Sequence, residues 1–151
     1  MKYYIGLGSN LGKRKENILK AINFFKNYDK ITFIKSSKII ETEPYGNIGQ
    51  PNFLNCVIVI GSEIKPIDML NICLKIEQKM GRKRTIKWGP RIIDIDILIC
   101  DNQIVNENNL IIPHPELYKR KFVLTSLNEL CPEFIHPIIN KKIKTMYGSV
   151  D

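Results

Sequence analysis

Ile93, Ile95, Ile97 and Ile99 fall at every second position of the run WGPRIIDIDILI (88–99), the period of a strand that buries one face. Strands are also predicted at 2–8, through 31–41, and at 53–62, FLNCVIVIGS. A 3.6-residue period takes over at 11–26, where Ile18, Ala21, Ile22 and Phe25 share one face and Asn10 is the expected N-cap. It returns after Pro66, where the stretch 67–80 gathers Asp68, Asn71, Lys75, Gln78 and Lys79 on one polar arc. Two polar loops rich in Pro and Gly, EPYGNIGQPN (43–52) and GRKRTIKWGPR (81–91), punctuate the pattern. Beyond 101 the pattern predicts short helices near 115–120 and 122–130 and a Lys-rich tail.

The order β-α-β-β-α-β predicts an α+β, ferredoxin-like fold, an antiparallel sheet covered by helices. No repeat, low-complexity block or linker interrupts it, so one domain is expected over 1–151. A chain of this length buries about 68–70% of its unfolded surface without staples. Cys56, Cys73, Cys100 and Cys131 have no CxxC spacing and sit among apolar neighbours, which suits reduced, buried thiols. The N-terminal MKYYIGLGSN reaches Gly and Ser too early for a signal peptide, and no stretch approaches the ~18 apolar residues of a membrane span. A soluble, cytoplasmic protein is expected.

Alternation in the last strand raises a chemical question. If the isoleucines enter the core, Asp94 and Asp96 emerge together on the other face, with Cα atoms about 6.6 Å apart. Aspartate is depleted in strands and like charges on one face repel, so the pair needs a cation. That cation is either protein, as Asp–Arg salt bridges, or metal. Two magnesium ions are the preferred reading, because hard cations take carboxylate oxygens together with water and phosphates, and paired metals clamp phosphoryl transfer. Glu77 supplies a second clue, since it falls outside the polar arc, between Leu70 and Cys73. A carboxylate aimed at the sheet needs a partner, either an Arg or a metal-bound water; a frayed, solvated helix end is the alternative.

The net charge of +8 changes the picture less than its distribution does. Against 18 Lys, 27 Ile and 14 Asn, a compositional bias, there are five Arg, and Arg82, Arg84 and Arg91 fall within the second loop. Clustered Arg in a Lys-rich chain points to a planar fork wanted for phosphate or carboxylate. GLGSNLG follows a strand and opens a helix, but it lacks the GxGxxG spacing of a dinucleotide loop.

Taken together, GLGSNLG, ETEPYGNIGQPNFLN, IEQKMGRKRTIKWGPRIIDIDIL and IPHPELYKRKFVL closely resemble the 6-hydroxymethyl-7,8-dihydropterin pyrophosphokinase family, in order from about residue 4 to 137. The resemblance implies a ferredoxin-like fold and transfer of the β,γ-diphosphate of ATP to the pterin hydroxymethyl group, releasing AMP, in folate biosynthesis. It implies that Asp94 and Asp96 hold two Mg2+ ions and that Arg82 and Arg91 act on the phosphates. Arg84, Trp88, His114 and Arg120 would complete the nucleotide side. Gly8, the backbone from Thr42 through Pro44 to Tyr45, Asn55 and a sandwich of Phe53 and Phe122 would form the pterin pocket. A flat neutral heterocycle does want two aromatic faces and an amide matched to its edge. No strong base is evident, and Asp96 or a metal-bound water would take the proton. The chain departs from the family at Leu74, Asn109 and Ile111 on the nucleotide side, and at Glu43 and Tyr45 in the pterin loop.

ATP and the pterin are thus the expected partners of a monomer, with no nucleic acid and no membrane. Two other classes remain as alternatives. A two-metal nucleotidyltransferase would share the carboxylates, although Ser9 and Asp94 are far apart in sequence for that family's pattern. An RNA-binding module on the same fold would explain the charge, but needs exposed aromatics on its central strands, which VIVIG and DIDIL lack.

Overall fold

The computed structural model describes residues 1–44, 49–82 and 90–150. Among these, strands β1 (Lys2–Ser9), β2 (Ile31–Ser36), β3 (Ile40–Thr42), β4 (Phe53–Ser62) and β5 (Asp94–Cys100) form one sheet of order β2-β4-β1-β5, with β3 also paired to β4. Every pairing in it is antiparallel. Helices α1 (Arg14–Lys26) and α2 (Pro66–Lys79) complete the first part of the chain; β6 (Val105–Glu107), β7 (Leu110–Ile112), α3 (Lys121–Leu130) and α4 (Ile143–Ser149) follow.

The sheet has two packed faces. Tyr3, Ile5, Leu7, Cys56, Ile58, Ile60, Ile95 and Ile97 meet Ile18, Ala21 and Phe25 of α1 and Met69, Ile72 and Ile76 of α2 in one core. Tyr4, Val57, Val59, Leu98 and Ile99 meet Leu124 and Leu127 of α3 and Met146 of α4 in a second. The buried face of α1 is the predicted one, and Glu77 lies among the buried residues of α2.

Several boundaries differ from the sequence pattern. The strand predicted through 31–41 is two strands, because Ser37 leaves the ladder. Its backbone N–H donates to the Val57 carbonyl (2.8 Å), and its hydroxyl accepts from the Val57 N–H (2.8 Å). Helix α1 starts at Arg14 behind Lys13, not behind Asn10; Gly12 turns the chain through φ +71°, a conformation open to glycine. No helix forms at 115–120, where single turns close instead from Leu117 N–H to the His114 carbonyl and from Lys119 N–H to that of Glu116. The β6–β7 hairpin, turning at Asn108-Asn109, was absent from the pattern because each strand has only three residues.

The most consequential difference is in β5. Its register against β1 shifts between Tyr4 and Ile5, so that Tyr4 pairs with Ile99 but Ile5 pairs with Ile97. Leu98 is the extra residue of a bulge. Ile99 therefore joins the second core rather than sharing a face with Ile93, Ile95 and Ile97, while Cys100 returns to the first. In a methyl-resolved NOE spectrum, Ile99 should correlate with the α3 leucine methyls and Ile97 with methyls of α1 and α2. Correlations of both to the same pair of helices would contradict the bulge.

Candidate active site

One half of the second sheet face is filled by α3 and α4; the other half is a cleft. The cause lies in β1, where Gly6 and Gly8 occupy the positions that follow Tyr4 on that face. Gly6 is paired with Asp96 and Gly8 with Asp94 on one side, and with Val57 and Asn55 on the other. Two carboxylates and an amide thus flank a floor with no side chains. Gly8 has no room for one, since a Cβ there would come within 2.6 Å of the Asn55 Oδ1.

The cleft has two lobes, of about 480 and 420 Å³, which share Asn55, Asp94, Arg120 and Phe122. Gly8, Asp96 and His114 line the first, beneath Phe122 and Ser126 of α3. The second is walled by Thr42, Glu43, Phe53 and Arg91. Asn55 is aimed by its Nδ2, which donates to the Thr42 Oγ1 at 2.6 Å. His114 is oriented too. Its Nδ1 accepts from the Glu116 N–H (3.1 Å), which leaves the ring proton to Nε2, and burial together with the nearby Arg120 lowers its pKa.

A chain of charges, fully buried at Glu77 and partly buried elsewhere, runs behind Asp94. Arg82 Nη1 donates to Glu77 Oε2 (2.7 Å) and to Asp94 Oδ1 (3.0 Å), and Arg91 Nη1 donates to Asp94 Oδ2 (3.3 Å). Glu77, only 4% exposed, also accepts from the Ile95 N–H at 2.8 Å. It therefore orients an Arg, as one of its sequence readings held, and is not a solvated helix end. Asp94 has the Asp–Arg bridges of the protein-cation reading. Asp96 differs: burial, then repulsion from Asp94, push its carboxyl well above the ordinary carboxylate range, against the opposing pull of Arg120.

Asn10 joins the two long loops. Its Nδ2 donates to Gln50 Oε1 (2.6 Å) and the Pro51 carbonyl (3.1 Å), while its Oδ1 accepts from the Arg91 N–H at 2.8 Å. An amide committed to three tertiary partners is not available as a helix cap.

Of the sequence-predicted site residues, Gly8, Thr42, Phe53, Asn55, Arg91, Asp94, Asp96, His114, Arg120 and Phe122 line the cleft, and Arg82 reaches it through Asp94. Pro44 lines neither lobe. Tyr45, Arg84 and Trp88 lie outside the described residues. Gly6, Glu116 and Ser126 were missed; only Gly6 had a sequence signal, its two-residue spacing from Gly8 on a predicted strand.

The profile of the family described as 7,8-dihydro-6-hydroxymethylpterin-pyrophosphokinase (HPPK) matches residues 4–132. A 2-amino-4-hydroxy-6-hydroxymethyldihydropteridine pyrophosphokinase of Aquifex aeolicus is 42% identical over 141 residues, covering 93% of this chain and 87% of the relative. The protein of the same name from Bacillus subtilis is 38% identical over 130 residues, 86% of this chain and 78% of the relative. A crystal structure of Plasmodium falciparum HPPK-DHPS with pteroate superposes with a TM-score of 0.80 at 18% identity, over 97% of this chain and 42% of that one, a likeness of fold.

Truncating Glu77 to Ala should leave Arg82 buried beside one carboxylate fewer and free the Ile95 N–H. Urea unfolding should register a loss of about 3–5 kcal/mol. A loss below about 1 kcal/mol would mean that the charge chain is solvated.

Proposed function

This chain belongs to the 7,8-dihydro-6-hydroxymethylpterin-pyrophosphokinase family, and from that membership we propose that it transfers the diphosphate of ATP to 6-hydroxymethyl-7,8-dihydropterin, releasing AMP, in folate biosynthesis. The observation that carries the reading is the pair Asp94 and Asp96, set over a glycine floor where the two lobes of the cleft meet.

The lobe walled by Thr42, Phe53, Asn55 and Phe122 suits the pterin, with aromatic faces and a held amide. The lobe reaching His114 suits the nucleotide; Gly8, which the resemblance gave to the pterin, lines this lobe, and Arg91, which it gave to the phosphates, lines the other, so both stand near where the lobes meet. Asp94 and Asp96 fit magnesium: two hard oxygen donors on one face, one of them raised in pKa by burial and then by its like-charged neighbour, and so in want of a cation. Two ions bound there would supply electrophilic charge on the phosphates. Arg82 and Arg91, which hold Asp94 in this structure, are the groups that exchange it for phosphate oxygens when ATP enters. His114 offers its Nε2 proton as a neutral donor. Catalysis on this reading is positioning and charge neutralisation, with little covalent work for the protein.

The strand order β2-β4-β1-β5 with α1 and α2 on one face supports a ferredoxin-like arrangement in a single domain. Unpaired Cys56, Cys73, Cys100 and Cys131 support a reducing, cytoplasmic setting. Among the described residues, no helix is long and apolar enough to cross a membrane. We read the protein as a monomer whose partners are ATP and the pterin, without nucleic acid.

Incubated with ATP, magnesium and 6-hydroxymethyl-7,8-dihydropterin, the protein should yield AMP and the pterin diphosphate in equal amounts by anion-exchange chromatography. ADP would mean transfer of one phosphoryl group, pyrophosphate a nucleotidyltransferase, and no turnover a binding module; each would overturn the reading.

A further inference from the structure

Strand β3 is three residues long and, among the described residues, pairs with β4 alone, yet with β4 it carries one wall of the cleft. Thr42 pairs with Phe53 and Ile40 with Asn55; Glu41, between them, pairs with Leu54. Thr42, Phe53 and Asn55 line the cleft, so alternation sends Glu41 and Leu54 to the reverse side. Leu54 packs there against the core that contains α1. From the first turn of α1, Arg14 reaches the same reverse side. Its Nη1 donates to Glu41 Oε2 and to the Asn52 carbonyl, both at 3.0 Å. One guanidinium thus holds both strands of the ribbon, Glu41 on β3 and Asn52 at the entrance to β4. Nothing in the first core requires this arrangement, since the Arg14 and Glu41 side chains are 30% and 54% exposed.

We propose that Arg14 is a positioning residue for the pterin: it braces the β3–β4 ribbon from behind, setting the spacing of Thr42, Phe53 and Asn55 on the front. The inference rests on the assignment of that lobe to the pterin. An exposed ion pair adds little to global stability. The consequence of the brace is therefore local, a fixed distance between two strands that, among the described residues, have no further strand beyond β3. Both bonds leave one nitrogen, Nη1, whose two protons lie in the fixed plane of the guanidinium, whereas a lysine ammonium brings the charge on a shorter stem without that fixed direction.

Arg14→Ala should raise the KM for the pterin about fivefold, the scale of one exposed charged contact, and leave the KM for ATP and the melting temperature unchanged within error. Arg14→Lys should recover part of the loss, and Glu41→Gln, which keeps a neutral acceptor, should show a smaller rise. If Arg14→Ala fails to fold, those two variants carry the test. An unchanged pterin KM would overturn the proposal. So would equal rises in both KM values with a lowered melting temperature, which would make Arg14 a general structural contact. Asn55→Ala, run alongside, separates the two levels. If it leaves the pterin KM unchanged, the assignment of the lobe fails; if it raises the KM while the Arg14 variants do not, only the brace fails.

Discussion

Side chains on a strand alternate between faces, and this protein depends on that constraint holding across three adjacent strands at once. Gly6 and Gly8 of β1 sit opposite Asp96 and Asp94 of β5, with Val57 and Asn55 of β4 on the other side. Side chains at 6 and 8 would close the space between the carboxylates and the amide. One register step away, the same face has Tyr4, Val59 and Ile99 packed beneath α3 and α4. The bulge at Leu98 lets β5 serve both halves, since without it Ile99 would turn into the first core and leave the second short of a large apolar side chain. Core and cleft are therefore set by one register.

Buried charge is the second layer. Asp94 and Asp96 repel, and the protein answers with cations from outside the sheet: Arg82 and Arg91 on Asp94, Arg120 near Asp96. Glu77 then neutralises Arg82 and ties it to the β5 backbone. Each member is the desolvation remedy for the next, so removing one exposes another. The long loops are held by polar contacts instead. Asn10 binds Gln50 and Pro51 on one side and Arg91 on the other, and Arg14 binds Asn52, so the segment from Asn10 to the start of α1 holds the C-terminal ends of both loops.

Where the hydrophobic period was long, it was readable: α1, α2, β1 and β4 lie where the pattern put them, within the few residues at which helix and strand ends are blurred. Three of the misses share a cause. Ser37 breaks a strand through its hydroxyl, Leu98 slips a register, and Asn10 leaves a cap for three distant partners. All three are tertiary choices that one-dimensional periodicity does not encode. The cleft residues were identified in two ways. Asp94 and Asp96 stood out as charges in a strand, and Glu77 as a charge on an apolar helix face. Phe53, Asn55, Phe122 and His114 came from family resemblance, because an aromatic or a histidine beside a core looks the same whether it packs or binds. Ser126 and Glu116 had no signal of either kind.

The central claim is that the paired aspartates over the glycine floor hold the metal ions that carry ATP. It is tested most directly by a crystal structure of the protein with magnesium and a non-hydrolysable ATP analogue. The account predicts carboxylate oxygens of both Asp94 and Asp96 at about 2.0–2.1 Å from magnesium, with Arg82 and Arg91 turned onto phosphate. Bound nucleotide with Asp94 still paired to Arg82 and Arg91, and no ion within reach of either carboxylate, would contradict it.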